Sequence, residues 1–223
     1  MVFSKMVKEH PVHYAVKLVF DRAAALLALV ILCPVFVLIG LLIKLDSSGP
    51  VFFAQDRVGK DGKLFKSIKF RTMVHRAAET GLGLNIKLED ERITRVGQFL
   101  RTWSLDELPQ FYSVLMGDMS IVGPRPTLLY QVEQYSDFQK KRLLVRPGVT
   151  GWAQINGRNA IGWEERIKLD VWYVENWSLW LDIKIMLRTI RVIVKREGLY
   201  GAGGINDDFL QDRQDSDPPG TSV

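Results

Sequence analysis

A chain of 223 residues, 47% of them hydrophobic, is long enough for one domain of ordinary size with extensions. Its net charge of +5 conceals an asymmetry: residues 201–223 hold five aspartates and one arginine, −4, which leaves +9 on residues 1–200. A body that basic asks for an anionic partner, and the single Cys33 excludes an intramolecular disulfide and a thiolate zinc site.

Residues 1–17 are polar and basic. From Ala23 to Ile43 there is no charge, a run about long enough to cross a hydrocarbon core of roughly 30 Å. Pro34 near its middle removes the bond to the Val30 carbonyl and clashes with it, so the helix should kink or break at Cys33-Pro34. Basic residues flank the run on both sides: Lys5, Lys8, Lys17 and Arg22 before it, Lys44, Arg57, Lys60 and Lys63 after it. A span would place one of these flanks outside, against the positive-inside bias. A re-entrant helix that bends at Cys33-Pro34 keeps both in the cytoplasm, and a kinked span is the alternative.

Residues 46–50 form a turn. Val51–Val58 and Lys63–Thr72 then read as two strands around Gly59-Lys-Asp-Gly62. A basic strand is usually a solvated edge, but Lys69, between Ile68 and Phe70, is the residue most apt to point into a site. Residues 74–92, polar and with two glycines, predict a mobile loop, with Glu89-Asp90-Glu91 a solvated run. A helix over 93–103 brings Arg95 and Arg101 to Ser104-Leu-Asp-Glu-Leu-Pro-Gln110.

Ser104 followed by Glu107 reads as a capping box, although Pro109 favours Asp106 as the N-cap instead. Either start sets Asp106 and Glu107 where a helix dipole favours negative charge, which should keep Asp106 ionised. An Asp-Glu pair there is most often a cap and nothing more. Arg125, held between Pro124 and Pro126, points to chemistry instead, because two fixed φ angles pre-position a fork that can clamp a phosphate.

Residues 127–145 predict one amphipathic helix ending in Lys140, Lys141 and Arg142. The stretch 146–159 is a glycine-rich loop in which Gly148, Gly151 and Gly157 allow close backbone approach and Arg158 is a further phosphate donor. Trp177 and Trp180 suit a membrane interface. In the last helix Lys184, Arg188, Arg191 and Lys195 form a basic stripe, the pattern of a helix lying in a lipid interface or of a core helix with a solvated face. Residues 201–223 predict a disordered acidic tail. The expected fold is α+β and mainly helical. It has a membrane segment (1–45), a small catalytic domain with a β-hairpin and interfacial helices (46–200), and the tail (201–223).

Five stretches together resemble one family. They are Lys69-Phe-Arg-Thr-Met73, Leu105-Asp-Glu-Leu-Pro-Gln110, Gly117-Asp-Met-Ser-Ile-Val-Gly-Pro-Arg-Pro126, Arg146-Pro-Gly-Val-Thr-Gly-Trp-Ala-Gln154 with Asn156-Gly-Arg-Asn159, and Leu169-Asp-Val-Trp-Tyr-Val-Glu-Asn176. Over roughly Val16 to Tyr200 the chain is similar to the bacterial monotopic phosphoglycosyl transferases, also called bacterial sugar transferases. The resemblance implies transfer of a phospho-sugar from a nucleotide sugar, UDP-linked, to a polyprenol phosphate such as undecaprenyl phosphate. That reaction starts a surface glycan such as an exopolysaccharide, at the cytoplasmic face of the bacterial inner membrane. By motif it implies Asp106 as nucleophile, Glu107 as ligand of Mg²⁺, and Lys69, Arg101, Arg125 and Arg158 as phosphate-binding cations. At the helix break this chain has Cys33 where the family often has Ser, a weaker back-bonding group. A non-catalytic membrane-surface scaffold is the rival reading, and no nucleic-acid motif is apparent.

Overall fold

In the computed structural model, side chains are described for residues 11–75, 77 and 90–199, and the backbone alone for 86–87 and 205–206. The remaining predicted tail and most of the predicted loop at 74–92 lie outside the described residues.

Helix α1, Pro11–Asp46, runs 36 residues, about 54 Å at 1.5 Å per residue. Among the described residues it is the one helix long and apolar enough to cross a membrane. One stripe rests on the rest of the protein: Lys17, Asp21, Ala25, Ile39 and Ile43 are buried, with Leu29, Leu32 and Phe36 partly so between them. The recurrence near every third or fourth residue is that of a single helical face. Leu26, Leu27, Val30, Ile31, Val37, Leu38 and Leu41 stand exposed on the other faces, which fits association with a membrane.

At Cys33-Pro34, where a kink or break is expected, the backbone stays helical and α1 runs on through Pro34. Proline deletes one hydrogen bond and strains one turn, whereas contacts on both sides of it hold this helix in register. At one end Lys17 and Asp21 bond to Asp182 and Ser120. At the other, Phe36, Ile39 and Ile43 pack on Phe70 and Leu100, and Asp46 accepts from the Val96 amide at 2.9 Å.

The expected hairpin is present. Strands β1 (Phe52–Val58) and β2 (Leu64–Phe70) pair antiparallel around a 3-10 turn at Lys60–Gly62. Strand β3 (Ile86–Lys87) follows, and then helix α2 (Arg95–Thr102), capped by the Thr94 hydroxyl. Asp90, read as solvated, is buried against Arg92, its carboxylate receiving that guanidinium at 2.8 and 2.7 Å.

Helix α3 (Gln110–Met116) leads to β4 (Ser120–Val122), which pairs in parallel with β5 (Gly148–Thr150). The single amphipathic helix expected over 127–145 is instead α4 (Leu129–Val132), α5 (Asp137–Lys140) and a 3-10 turn, Lys141–Leu144. Ser136 starts a new helix there, its hydroxyl and the Gln139 side chain capping reciprocally. Helices α6 (Trp152–Ile155), α7 (Trp163–Glu175) and α8 (Leu179–Lys195) complete the described chain with β6 (Ile205–Asn206), which pairs with β3.

The main core gathers Val122, Val145, Tyr173, Val174, Leu181 and Ile185 where α7 and α8 close over β4. Trp177 belongs to it, donating from Nε1 to Asp182 at 3.1 Å, so it is not an interfacial aromatic; Trp180 is exposed. On α8 the exposed Ile183, Leu187, Ile190 and Val194 run beside the basic stripe, and Ile185 and Val192 form the buried side.

Candidate active site

The Asp-Glu pair does not start an α-helix. Ser104 adopts φ +56°, the left-handed conformation that ends α2, and its side chain caps nothing. Leu105–Glu107 form one 3-10 turn, and Pro109, with no N–H to satisfy, is the residue at which α3 begins. Leu105 and Leu108, three apart and so on one side of that turn, pack on the Ile39, Ile43, Phe70 and Leu100 cluster. Asp106 and Glu107 are thereby carried on a turn bedded directly against α1.

Glu107 gathers the cations. Lys69 Nζ lies 2.6 Å from its Oε1, and Arg125 forms a fork with 2.6 Å to Oε1 and 3.2 Å to Oε2. Burial alone would raise its pKa, but Arg125 and Lys69 prevail and hold the carboxyl well below its usual range. Asp106 makes no hydrogen bond or ion pair among the described residues. Burial pushes its pKa up, Glu107 adds to that, and Lys69, Arg101 and Arg125 offset part of it. The expected α-helix start is absent at Asp106, and burial is the largest influence on its carboxyl, raising the pKa from the ordinary value.

Arg125 is fixed through its backbone. Two prolines leave the turn short of N–H donors, so its carbonyls are held from elsewhere. Pro124 O accepts from the Gly148 amide at 2.8 Å, Arg125 O from Arg142 Nη2 at 2.9 Å, and Thr127 O from the Val58 amide at 2.9 Å. Gly148 is required there: a Cβ on it would lie 2.1 Å from the Gly123 nitrogen. Arg142, expected at the end of one amphipathic helix, is buried with Tyr135 (2.6 Å to its hydroxyl) and forms an ion pair with Asp170.

Arg158 Nη2 reaches Ser104 Oγ at 3.2 Å and Arg101 Nη1 reaches Thr72 Oγ1 at 3.5 Å. Neither has a carboxylate partner among the described residues, and burial lowers the Arg158 pKa. All six predicted residues other than the helix-break pair thus converge, and Cys33 and Pro34 lie elsewhere, on α1. Sequence reasoning missed Arg57, read as a membrane flank, whose Nη1 lies 3.5 Å from the Pro126 carbonyl beside Arg125.

As to a metal, no cluster of three or more acidic, His or Cys side chains exists among the described residues. A caged ion does not fit. A hard cation carried by substrate phosphates does, since Asp106 is unpartnered and the Glu107 oxygens, about four lone pairs, receive three hydrogen bonds.

The bacterial sugar transferase family matches residues 12–196. The chain belongs to that family. It is a phosphoglycosyl transferase. It is 45% identical to EpsL of Bacillus subtilis, an uncharacterized sugar transferase, over 82% of this chain and 89% of that one. It is 38% identical to the exopolysaccharide production protein ExoY of Rhizobium meliloti, over 85% and 90%. It is 40% identical to the undecaprenyl-phosphate galactose phosphotransferase of Salmonella typhimurium, over 82% of this chain but 41% of that longer protein.

Proposed function

We propose that this transferase moves a hexose phosphate from a UDP-sugar to undecaprenyl phosphate through a covalent intermediate on Asp106. The observation that carries the reading is the pairing of unequal neighbours: Asp106 half-buried and without a hydrogen-bond partner among the described residues, Glu107 engaged three times over by Lys69 and Arg125. Glu107 draws cations to the place where phosphates arrive, and Asp106 keeps its lone pairs for attack. An Asp106 oxygen forms a bond to the sugar-bearing phosphorus as the bond to the bridging oxygen breaks, and that electron pair leaves on the nucleoside monophosphate. An oxygen of the acceptor phosphate then bonds to the same phosphorus and returns the pair to Asp106.

Lys69, Arg101, Arg125 and Arg158 neutralise the diphosphate and the charge that develops in each step. Glu107 would hold Mg²⁺, which would supply charge neutralisation to the bound phosphates. A burial-raised Asp106 pKa also has a use: once cationic groups and Mg²⁺ surround it, ionisation yields a weakly solvated nucleophile. Undecaprenyl phosphate is the acceptor favoured by the similarity to the Salmonella enzyme, exopolysaccharide production the setting favoured by the similarity to ExoY, and a UDP-sugar the donor that the family resemblance implies.

For topology, α1 enters the cytoplasmic leaflet and both its flanks remain on that side. Its two ends bond to one globular body, Lys17 to Asp182 and Asp46 to the Val96 amide, which a crossing helix about 54 Å long would separate. The exposed apolar stripe and basic stripe of α8 suit the same interface. Release of UMP from UDP-sugars, dependent on Mg²⁺ and undecaprenyl phosphate, tests the reaction, and a panel of UDP-sugars assigns the donor. A membrane scaffold would release none. Single cysteines at Lys5 and Ser47 in a Cys33→Ser background should resist an impermeant thiol reagent in intact cells, and labelling of the Lys5 site would mean a span.

A further inference from the structure

Arg125 owes its direction to a residue that the motifs do not single out. Pro126 confines Arg125 to extended backbone, and within that range its ψ is set by where its carbonyl points. Arg142 Nη2 donates to that carbonyl at 2.9 Å. Arg142, from the 3-10 turn Lys141–Leu144, is itself held on two sides. Its Nη1 donates to the Tyr135 hydroxyl at 2.6 Å, and Nη2 donates also to Asp170 Oδ2 on α7. Tyr135, Arg142 and Asp170 are 4%, 3% and 1% exposed, so all three are out of reach of bulk water.

That ion pair is incomplete. Asp170 Oδ1 and Arg142 Nε are both buried without a hydrogen-bond partner, although a guanidinium and a carboxylate often meet through two parallel bonds. A buried pair that served stability alone would gain by closing the second bond, because each orphaned atom has given up its solvation. Here the guanidinium is turned so that its two ends reach Tyr135 and the Arg125 carbonyl. The line continues on the other side of Arg125, whose fork grips Glu107 at 2.6 and 3.2 Å.

We propose that Arg142, braced by Asp170 and Tyr135, is a positioning residue for the transfer. It sets the ψ of Arg125, and so the place at which that guanidinium meets Glu107 and an incoming phosphate. The inference rests on Arg125 acting as a phosphate clamp, as read above. A fork recognises phosphate through direction as much as through charge. A carbonyl released from Arg142 lets the Arg125 backbone turn and swings the fork out of line, while its charge stays in the site.

The test is a double-mutant cycle in the full-length protein, read as kcat for UMP release with undecaprenyl phosphate and the UDP-sugar assigned by the panel. Thermal midpoints are followed alongside, and kcat is taken well below each. Arg142→Lys keeps a cation beside Asp170 but has one nitrogen in place of two ends. It should lower kcat roughly 10²-fold, the scale for groups misplaced by about 1 Å through a distant change. In an Arg125→Lys background the same change should cost no more than about 2-fold, because no fork remains to be aimed. A merely structural role gives the same factor in both backgrounds. That result, or a wild-type kcat for Arg142→Lys, overturns the proposal. Tyr135→Phe removes one hydroxyl and keeps the ring, so it decides the matter if Arg142→Lys does not fold. It should slow the wild-type protein by about 10-fold, the scale of a lost hydrogen bond to a charged group, and leave Arg125→Lys protein unchanged; equal factors or no effect would again overturn the proposal. If Arg125→Lys alone turns over at the wild-type rate, the clamp reading has failed and the positioning role goes with it. If Arg125→Lys is slow and the factors multiply, only the positioning role has failed.

Discussion

At the base of α1, Lys17 Nζ lies 2.7 Å from Asp182 and 3.6 Å from Asp21, and donates to the Val122 carbonyl. Asp182 also receives the Tyr173 hydroxyl and Trp177 Nε1, so one cation is enclosed by anions and donors until little capacity is left. Around Glu107 the proportions reverse. Lys69 and Arg125 pair with it, and Arg57, Arg101 and Arg158 stand close by with no carboxylate partner among the described residues. The first is withdrawn from water, whereas the second is partly open to it, with Arg125 exposed. The first is closed and joins the membrane helix to α8; the second holds surplus positive charge that only an incoming anion can balance. Composition alone does not separate a structural ion network from a reactive one, whereas the count of unpaired cations does.

Breaking each cluster should give opposite signatures. Asp106→Asn should leave turnover undetectable with the thermal midpoint retained, since an amide cannot attack phosphorus. Glu107→Gln and Arg125→Lys should each lower kcat by 10²–10³, about 2.7–4 kcal/mol of lost transition-state stabilisation. Arg125→Lys is damaging because a point charge replaces a fork, and Glu107→Gln should also shift the Mg²⁺ dependence. Lys17→Met leaves Asp182 buried without its cation and should cost about 3–5 kcal/mol in urea unfolding, while Mg²⁺ dependence in the folded fraction stays unchanged. The smallest effect is on pH. Asp106 must be ionised to attack and its pKa is raised, so the rate should fall with acid at a higher pH than for an ordinary carboxylate. Glu107 contributes to that rise, so Glu107→Gln should move the acid limb of the residual rate to lower pH.

Much of this site was legible in the sequence, for physical reasons that particular residues make plain. The hairpin follows from alternating strands around Gly59-Lys-Asp-Gly62, and Lys69 was singled out by its apolar neighbours. Pro124 and Pro126 announced a fixed Arg125. The pattern Ser136-Asp-Phe-Gln139 carried a capping box that divides the expected helix, a readable signal outweighed by apolar periodicity. Ser104 displayed the same kind of signal falsely, because its left-handed backbone depends on how α2 and the catalytic turn pack on α1. The burial of Arg142 and Trp177 was not legible because their buried partners, Asp170 and Asp182, come from helices distant in the chain or beyond a turn. Pro34 looked like a break because the contacts that hold α1 on both sides of it are tertiary.

The central claim is that Asp106, unpartnered among the described residues beside a cation-paired Glu107, becomes covalently bonded to phosphorus. Its most direct test is mass spectrometry of the wild-type protein mixed with its UDP-sugar and Mg²⁺, with the acceptor withheld. The predicted result is a hexose phosphate on the peptide bearing Asp106, removed on adding undecaprenyl phosphate and absent from Asp106→Asn. An adduct on any other residue, or rapid turnover by Asp106→Asn, would contradict the account.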